Sequence, residues 1–499
     1  MRADQSTTES PFLIQRLSLF REVAMLVCLV STQALGQACL AQGIFPDTVI
    51  GTSFGTGNEE SSWGPAAYAL TSGTFMLPAG RLGDMYGYRK CYIAGWVWFA
   101  MASLLTGISV YSKTFVFYCV CRGLQGMATA MLVPCALAIL GTVYRDGSRK
   151  NLAFSLYAAG APIGFTLGGI FSGVIAELAW WPWIFWVTAF VCCSLAIIAR
   201  FTVPELPSPV SRSNCGQLDE QQHSDANIKS WHRGFDWAGT ASGVSGLVLF
   251  IVAWNQAPIV GWSTASTIAT VIIGFLLFVG FILIERRAQR PLIPVGRLSS
   301  DSLYVLATMA LGWASFGVLI FYMVNFITRI RGTSIISTAL QFLPVPFTGL
   351  LASWLNSFLL GHRISAADIL AFSLVWFIAG NVLLATMPVR QSYWLQMFWI
   401  SVLAPFGMDL SFPSATLLIS QIVPPDQQGI AASLIATVVY YSQSIGLGIA
   451  GTVQRYTADG NLLKGYRGAT YTGVALSGLG FLVALYPVLG LRLKKGVER

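Results

Sequence analysis

Apolar windows of membrane-spanning length constrain the fold of this chain more than any single motif. A segment of roughly 20 apolar residues is long enough to cross the hydrocarbon core of a bilayer as a helix. Such windows fall near residues 23–45, 64–82, 91–111, 115–140, 153–176, 182–202, 237–256, 265–284, 303–326, 335–360, 366–387, 394–418, 429–453 and 470–491. Only 10% of the 499 residues are charged, against roughly 25% in an ordinary soluble domain. The sequence therefore predicts an all-α membrane protein with fourteen spans.

The polar segments divide these spans into groups. Residues 203–236 are rich in proline and serine and are typical of a cytoplasmic linker. We therefore expect a cytoplasmic tail at 1–22, a six-helix bundle at 23–202, two inserted spans at 237–286, and a second six-helix bundle with a short cytoplasmic tail at 287–499. Lys and Arg concentrate on one side of this map, which places both termini in the cytoplasm. Paired six-helix bundles are a recurrent transporter architecture.

Several function classes lack the residues that they require. The net charge is +9, but in a membrane protein the cations set topology, so they do not indicate a nucleic-acid partner. The sequence has three histidines, two of them in the linker, and offers no histidine cluster for a zinc or di-iron centre. It has no phosphate-binding G-x-x-x-x-G-K-[ST] motif. We expect no metal, no cofactor and no enzymatic activity, and we expect the partners to be lipid, a small-molecule solute and protons.

A polar, glycine-rich segment separates the second and third spans. It runs from Gly80 to Lys90 with the pattern G-x-x-x-D-x-x-G-x-R-K, and we interpret it as an eleven-residue turn. Glycines let two helix ends approach closely, and a carboxylate with cations suits the point where a chain leaves hydrocarbon. Gly80, Asp84, Gly87, Arg89 and Lys90 are therefore candidate gating residues. The alternative is a charged hairpin whose cations only anchor it in the cytoplasm.

The fourth span carries a cation inside the membrane. An intramembrane arginine costs several kcal/mol unless it faces water or a partner. Four polar residues recur at i, i+4, i+7 and i+11 and share one helix face: Tyr118, Arg122, Gln125 and Thr129. We expect this face to line a cavity. The alternative is that a fixed structural partner neutralises Arg122.

Glycines are dense in the fifth span. The set comprises Gly160, Pro162, Gly164, Gly168 and Gly169. Glycines let helices pack backbone to backbone, and a proline removes one hydrogen bond and permits a bend. These residues predict a flexing gate between the two bundles. Ordinary packing of small residues between helices is the alternative.

Asp409 is the most deeply placed acidic residue of the predicted spans. It lies in the twelfth span between Pro405 and Pro413. A carboxyl group at that depth is either protonated or hydrated, which makes it the first candidate for a group that takes up and releases a proton. The alternative is that it caps a broken helix or pairs with a neighbour. Asp47 and Glu177 lie at span ends, where we expect an interfacial role.

Uncharged polar and aromatic stripes predict a pocket for a partly apolar solute. They lie in the first, fourth, ninth and thirteenth spans. The candidate substrate-binding residues are Gln33, Gln37, Gln125, Trp313, Phe316, Asn325, Thr437 and Tyr440. Hydrogen bonding between helices is the alternative for each stripe.

Taken in order, these motifs resemble the major facilitator superfamily. The Gly80 to Lys90 segment, the run from Arg122 and the fifth-span glycines are similar to the fourteen-span drug:proton antiporter branch. Further runs resemble its fungal subgroup of aminotriazole- and boron-resistance exporters, which includes relatives proposed to carry ammonium. These runs lie at 235–239, 254–258, 285–294, 312–317 and 427–433. The resemblance implies the major facilitator fold, with two six-helix bundles and two extra transmembrane helices.

The resemblance also implies roles for individual residues. Asp84 and Arg89 would tie the cytoplasmic side to the start of the thirteenth helix, near Asp426 and Gln427. Arg122 would perturb a nearby proton site, and the fifth-span glycines would form the antiporter motif. The sequence departs from the family at Phe165, where that motif usually has proline. It also departs in the first span, where Gln33 and Gln37 occupy the mid-span and no acidic residue has a clear counterpart.

The function expected from these residues is proton-coupled efflux of small toxic compounds or secondary metabolites by alternating access. The coupling residues would be Asp409 and Arg122. The alternative is uptake or facilitated movement of a small nitrogenous solute such as ammonium, which Phe165 and the neutral first span favour. We expect a functional monomer in the plasma membrane, with the vacuolar membrane as the alternative.

Overall fold

The computed structural model describes residues 18–57, 60–144, 148–205, 237–287, 300–362, 364–420 and 428–497. Within these ranges the chain is almost entirely helical and has no strand. We refer to the end of the bundle at which the first helix begins and the last helix ends as the cytoplasmic end, in keeping with the proposed orientation. The opposite end is the outer end.

Nine helices precede residue 300. They are α1 (Leu19–Ile44), α2 (Asp47–Phe54), α3 (Trp63–Tyr86), α4 (Tyr88–Ile108), α5 (Phe115–Val143), α6 (Ser148–Leu178), α7 (Trp183–Thr202), α8 (Trp237–Val260) and α9 (Ala265–Arg287). Short 3-10 turns at Glu60–Ser62 and Ser109–Ser112 extend two of the connections. These bounds refer to the part of the chain that the structure describes.

Seven helices follow residue 300. They are α10 (Ser300–Asn325), α11 (Ile335–Leu340), α12 (Pro344–Gly361), α13 (Ala366–Thr386), α14 (Met397–Ser420), α15 (Gln428–Thr457) and α16 (Leu462–Val497). A π-helical turn at Phe326–Ile330 continues α10 at the outer end.

Thirteen helical segments of the described ranges are long and apolar enough to cross a membrane. They include Ile335–Gly361, which α11 and α12 form together. Helix α3 is 24 residues long but is rich in glycine, alanine, serine and threonine, and it is not among the thirteen. The all-α membrane fold is confirmed. That α3 is the fourteenth membrane span stays a prediction.

The predicted windows match the helices except at a few boundaries. The tenth window is two helices, because Pro344 and Pro346 have no amide hydrogen to continue α11 and instead begin α12. The predicted tail 1–22 overlaps α1, which starts at Leu19 after the N-cap Ser18. Residues 1–17 of that tail and residues 206–236 of the predicted linker lie outside the described residues.

The interpretation of residues 80–90 as an eleven-residue turn was wrong. Helix α3 continues to Tyr86 and α4 starts at Tyr88, so only Gly87 separates them. Gly87 has a φ of +92°, a conformation that only glycine adopts without strain. One residue therefore makes the whole reversal, and Asp84 and Arg89 are helical residues.

The helices pack in two groups. In the first group, α1 packs on α6 and α7, α3 packs on α5, and α4 packs on α5 and α7. In the second group, α10 packs on α15 and α16, and α13 packs on α14 and α16. The groups meet where α3 contacts α15 and where α6 contacts α11 and α12. Helix α8 packs on α9, α15 and α3. We propose that the two groups are the six-helix domains predicted at 23–202 and 287–499, with 237–286 as an inserted pair.

Candidate functional site

A cavity lies between the two helix groups. The first group contributes Gln37, Leu40, Ile44, Pro65, Ala69, Pro162 and Phe165. The second group contributes Phe316, Gly317, Ile320, Phe321, Met323, Phe342, Val345, Ser401, Ala404, Pro405, Met408, Gln443 and Leu447. We call it the central cavity. Both groups form its wall, so any rocking of one group against the other changes its shape.

The wall of the central cavity is mostly apolar and aromatic. The rings of Phe165 and Phe342 lie 5.9 Å apart across the two groups. Three residues bring polar side chains: Gln37, Ser401 and Gln443. Gln37 Nε2 donates a hydrogen bond to Tyr440 Oη at 3.4 Å, which also bridges the groups. An apolar wall with a few polar groups is the typical composition of a small-molecule site.

Asp409 lies beside this cavity, on the same helix as the wall residues Pro405 and Met408. Its side chain is 8% exposed, and its Oδ2 atom has no hydrogen-bond partner among the described residues. A Cβ atom built on Gly349 would lie 3.1 Å from this oxygen and 2.6 Å from Pro162 Cγ. Asp409 therefore sits where α12 of the second group approaches α6 of the first.

Helix α6 has two distinct packing faces. Cβ atoms built on Gly164 and Gly168 would lie only 2.0 Å from Ala34 O and 2.5 Å from Ala38 Cα. Gly160 also faces α1, at 3.0 Å from Val30 O, and Gly169 faces the ring of Phe45. Pro162 points instead toward α12. The glycines thus pack α6 against α1 within the first group, as the alternative of ordinary small-residue packing describes. Pro162 is the member of the motif that contacts the second group.

The expectation that the polar face of the fourth span lines the cavity was wrong. Arg122 is fully buried inside the first group and is absent from the cavity wall. Its guanidinium donates to Cys39 O at 2.7 Å, Gln125 Oε1 at 2.7 Å and Gly64 O at 3.4 Å. It also lies 4.9 Å from the ring centroid of Tyr68. Backbone carbonyls and an amide satisfy this cation, so the helix face needs no water-filled cavity.

Helices α3 and α15 of the two groups pack closely from mid-span toward the cytoplasmic end. A Cβ atom on Gly80 would lie 3.1 Å from Ser433 Oγ, and one on Gly73 would lie 3.0 Å from Tyr441 N. Thr437 and Tyr440 belong to the same stretch of α15. Replacing either glycine by a residue with a side chain would push the two helix groups apart.

Arg89 and Asp84 of the Gly80 to Lys90 segment have partners in their own group. Arg89 forms an ion pair with Glu205 Oε1 at 2.5 Å and donates to Arg200 O at 2.7 Å. Asp84 accepts a hydrogen bond from Tyr88, and Lys90 is exposed. The implied partners Asp426 and Gln427 lie outside the described residues, so their contact with Asp84 and Arg89 stays a prediction.

At the outer end, an ion pair joins the two groups. Arg329 Nη2 lies 2.6 Å from Asp47 Oδ2 and donates to Ser61 Oγ at 2.9 Å. The side chains of Arg329 and Asp47 are 9% and 1% exposed. Glu177 of α6 accepts hydrogen bonds from the amides of Ile335 and Ile336, the latter at 3.2 Å. One feature of the sequence indicated a special role for Arg329: in the predicted topology it lies on the side of the membrane that cations usually avoid.

The eight candidate substrate-binding residues are dispersed. Gln37 and Phe316 line the central cavity. Trp313 packs behind Phe316 at 5.4 Å between ring centroids and donates to Ser411 Oγ at 3.1 Å. Tyr440 bonds to Gln37. The others lie apart from the cavity wall: Gln33, Gln125, Asn325 and Thr437.

The described residues contain no group of His, Cys, Asp or Glu that could hold a metal ion. The arrangement as a whole is a membrane-embedded cavity, one acidic side chain beside it, and contacts between two helix groups at each end. This geometry suits the movement of a solute between two openings.

Comparisons with known proteins agree with this geometry. A model of the Major Facilitator Superfamily matches residues 26–447. A low affinity ammonium transporter of Saccharomyces cerevisiae is 46% identical over 470 residues, covering 94% of this chain and 88% of that protein. The efflux pump terJ of Aspergillus terreus is 41% identical over 473 residues, covering 94% and 88%. The aminotriazole resistance protein of Saccharomyces cerevisiae is 36% identical over 472 residues, covering 92% and 83%.

Among solved structures, a peptide transporter POT in complex with sulfate aligns with a TM-score of 0.61, covering 94% of each chain at 14% sequence identity. At that identity the alignment supports the fold alone. The predicted resemblance to fungal drug-efflux members of the family is confirmed by the efflux pump and the resistance protein. Because the family model spans most of the chain and these relatives match nearly its whole length, the chain belongs to the major facilitator superfamily of membrane transporters, and is not an enzyme.

Proposed function

We propose that this transporter exports small, partly apolar organic compounds in exchange for protons. The observation that carries the proposal is the central cavity, an aromatic chamber between the two helix groups. Beside it lies Asp409, whose Oδ2 atom has no hydrogen-bond partner among the described residues. Three polar wall residues can orient a solute, and the phenylalanine rings bury its apolar part. The names of two relatives, an efflux pump and a resistance protein, support the outward direction.

Asp409 is the residue that we propose to couple protons to transport. Burying a charged carboxylate costs free energy, so the charged form favours a conformation in which water reaches Asp409. The protonated form fits the dry contact between Pro162 and Gly349. Proton binding thus biases one conformation by its differential affinity, which is the requirement for coupling. The predicted influence of Arg122 on this site stays a prediction, because Arg122 lies inside the first helix group.

The transport cycle that we propose alternates the two end contacts. The α3–α15 contact closes the cytoplasmic end, and the Asp47–Arg329 pair closes the outer end. In the state open to the cytoplasm the α3–α15 contact is broken and the Asp47–Arg329 pair is intact. In the state open to the outside the reverse is true. We propose that both termini are cytoplasmic, that the protein works as a monomer, and that it resides in the plasma membrane.

The second candidate function is facilitated movement of ammonium. The observation that favours it is the 46% identity to a low affinity ammonium transporter. An ammonium ion gains little from a wall that is mostly apolar, which favours an organic solute with an apolar part.

A proteoliposome experiment tests the proposal and separates the two candidates. We expect an acidic lumen to drive accumulation of labelled aminotriazole, and an ionophore that collapses the pH gradient to abolish it. Asp409→Asn should lose this accumulation but keep exchange of labelled for unlabelled solute, because only the proton step is removed. Asp301→Asn, which changes an exposed carboxylate, is the matched control.

Two results would contradict the proposal. Full gradient-driven accumulation by Asp409→Asn would exclude this residue from coupling. Passage of labelled methylammonium with no gradient-driven accumulation of labelled aminotriazole would replace export by the ammonium function.

A further inference from the structure

A second cavity lies at the outer end of the molecule. It is built by the outer ends of α8, α10, α15 and α16 with Ser62 at the start of α3. Arg329 of the outer ion pair also lines it. We call it the outer chamber.

The two cavities share part of their walls. Phe321 and Leu447 line both. Phe321 is 8% exposed and belongs to α10, and Leu447 faces it from α15. Phe321 and Leu447 are therefore the residues common to the walls of the central cavity and the outer chamber.

The outer chamber differs from the central cavity in chemistry. Its wall includes residues that carry hydroxyl, amide or guanidinium groups: Tyr322, Gln454, Tyr466, Asn255 and Arg329. Tyr322 Oη donates to Gln454 Oε1 at 2.7 Å. A solute that moves from the aromatic cavity to this chamber would exchange apolar contacts for contacts with polar side chains. Weaker burial of its apolar part would favour release.

Helix α8 is a fixed wall of the outer chamber. Asn255 Nδ2 donates to Ser444 Oγ of α15 at 3.3 Å. A Cβ atom on Gly448 of α15 would lie 2.8 Å from Trp254 O, so the two backbones touch. Helix α9 differs, since only 17% of its apolar window is buried. Of the two helices at 237–286, α8 alone contributes to the chamber wall.

We propose that the outer chamber is the exit compartment of the transport path, that α8 forms part of its wall, and that Phe321 and Leu447 are the barrier to the central cavity. The solute class is that of the proposed function, a small organic compound with both apolar and hydrogen-bonding groups. The identity of the solute and the direction of its movement rest on that proposed function.

Thiol labelling from outside the membrane tests the compartment. The probe is a membrane-impermeant methanethiosulfonate with a quaternary ammonium group, and the unmodified chain sets the background from its nine native cysteines. We expect Ser62→Cys and Asn255→Cys to react severalfold faster than Ser194→Cys, whose side chain faces outward on α7. Ser62→Cys is nearly isosteric, so it stays informative if Asn255→Cys fails to fold.

Two further variants test the path. Gly451→Leu fills the chamber and should slow labelling of Ser62→Cys severalfold, whereas Gly478→Leu, a site with open space around it, should not. Phe321→Ala should speed outside labelling of Ser401→Cys in the central cavity, and the lipid-facing Phe190→Ala should leave it unchanged.

Two outcomes would overturn the inference. One is that Ser62→Cys reacts no faster than Ser194→Cys, and the other is that Phe321→Ala has no effect on Ser401→Cys. The labelling needs no transported solute. If the protein exports no solute, the proposed function is refuted, but the labelling rates still show whether the outer chamber is open to the outside.

Discussion

Removing the cation from the outer ion pair should open the outer end of the protein. Arg329 and Asp47 lie 2.6 Å apart with side chains that are 9% and 1% exposed, and they belong to different helix groups. Arg329→Met would leave the Asp47 carboxylate buried without its counter-ion in the closed state. When the outer end opens, water reaches Asp47, and the free-energy cost of burying an unpaired carboxylate disappears. The variant therefore destabilises the closed state relative to the open state.

The size of this effect follows from the burial of the pair. Breaking a buried ion pair by removing one partner costs about 3–5 kcal/mol, which corresponds to a shift of about 10²- to 10⁴-fold in the equilibrium between closed and open states. Asp47 can reduce the penalty by taking up a proton. That costs about 1.4 kcal/mol for each pH unit above its pKa, so we expect the lower end of the range near neutral pH.

The pH dependence has a definite sign. Burial raises the pKa of Asp47 above its usual range, although Arg329 and Ser61 oppose the change, and removing Arg329 raises this pKa further. The closed state then binds a proton more tightly than the open state, in which Asp47 is hydrated. Lowering the pH therefore favours closure, and the defect of Arg329→Met should shrink toward about pH 5.

Amide hydrogen exchange measures the opening. Exchange in residues 326–343, corrected for the intrinsic effect of pH, should accelerate in Arg329→Met at neutral pH and approach the parent rate in acid. Residues 88–108 of α4, away from the contact, serve as the internal control. The double variant Arg329→Met with Asp47→Leu leaves no buried charge, so it should restore slow exchange at every pH. An unchanged rate in the single variant, or a fast rate in the double variant, would refute the reasoning.

Two predictions concern stability. Gly164→Ala should lower the melting temperature, since its Cβ atom would meet Ala34 O at 2.0 Å and overpacking costs about 1–3 kcal/mol. Gly141→Ala, with nothing within 4 Å of the added atom, should not lower it, and equal melting of the two would contradict the α1–α6 contact. Arg122→Lys should also lower the melting temperature, because one ammonium group cannot donate to all three acceptors of Arg122. We expect the free energy of unfolding to fall by about 1–3 kcal/mol. Arg200→Lys on the exposed face of α7 is the control, and an unchanged melting curve for Arg122→Lys would show that the carbonyl contacts contribute little.

The spans were predictable because the length of an apolar window is a local property of the chain. Each window needs only enough apolar residues to cross hydrocarbon, whatever its neighbours are. The boundaries at Pro344 and at Gly87 depend on single residues with restricted or permissive backbones, and only the first has a clear local signal.

The contacts of the site were harder to predict because they join residues far apart in the chain. Arg122 is satisfied by the carbonyl groups of Cys39 and Gly64, which no helical periodicity can reveal. Arg329 and Asp47 are separated by 282 positions. In a membrane both the lipid-facing and the buried side of a helix are apolar, so hydropathy alone cannot tell which face the glycines of α6 present to α1.

The close packing of α6 on α1 has a consequence for selectivity. Gln37 on α1 and Phe165 on α6 both line the central cavity, and the helices that carry them touch through their backbones at Gly164 and Gly168. We expect these two helices to move as one rigid unit. The part of the cavity wall that they form then keeps the same shape in every conformation. Discrimination by size is then set once, by this constant surface, and differences in affinity between loading and unloading must come from the opposing helices.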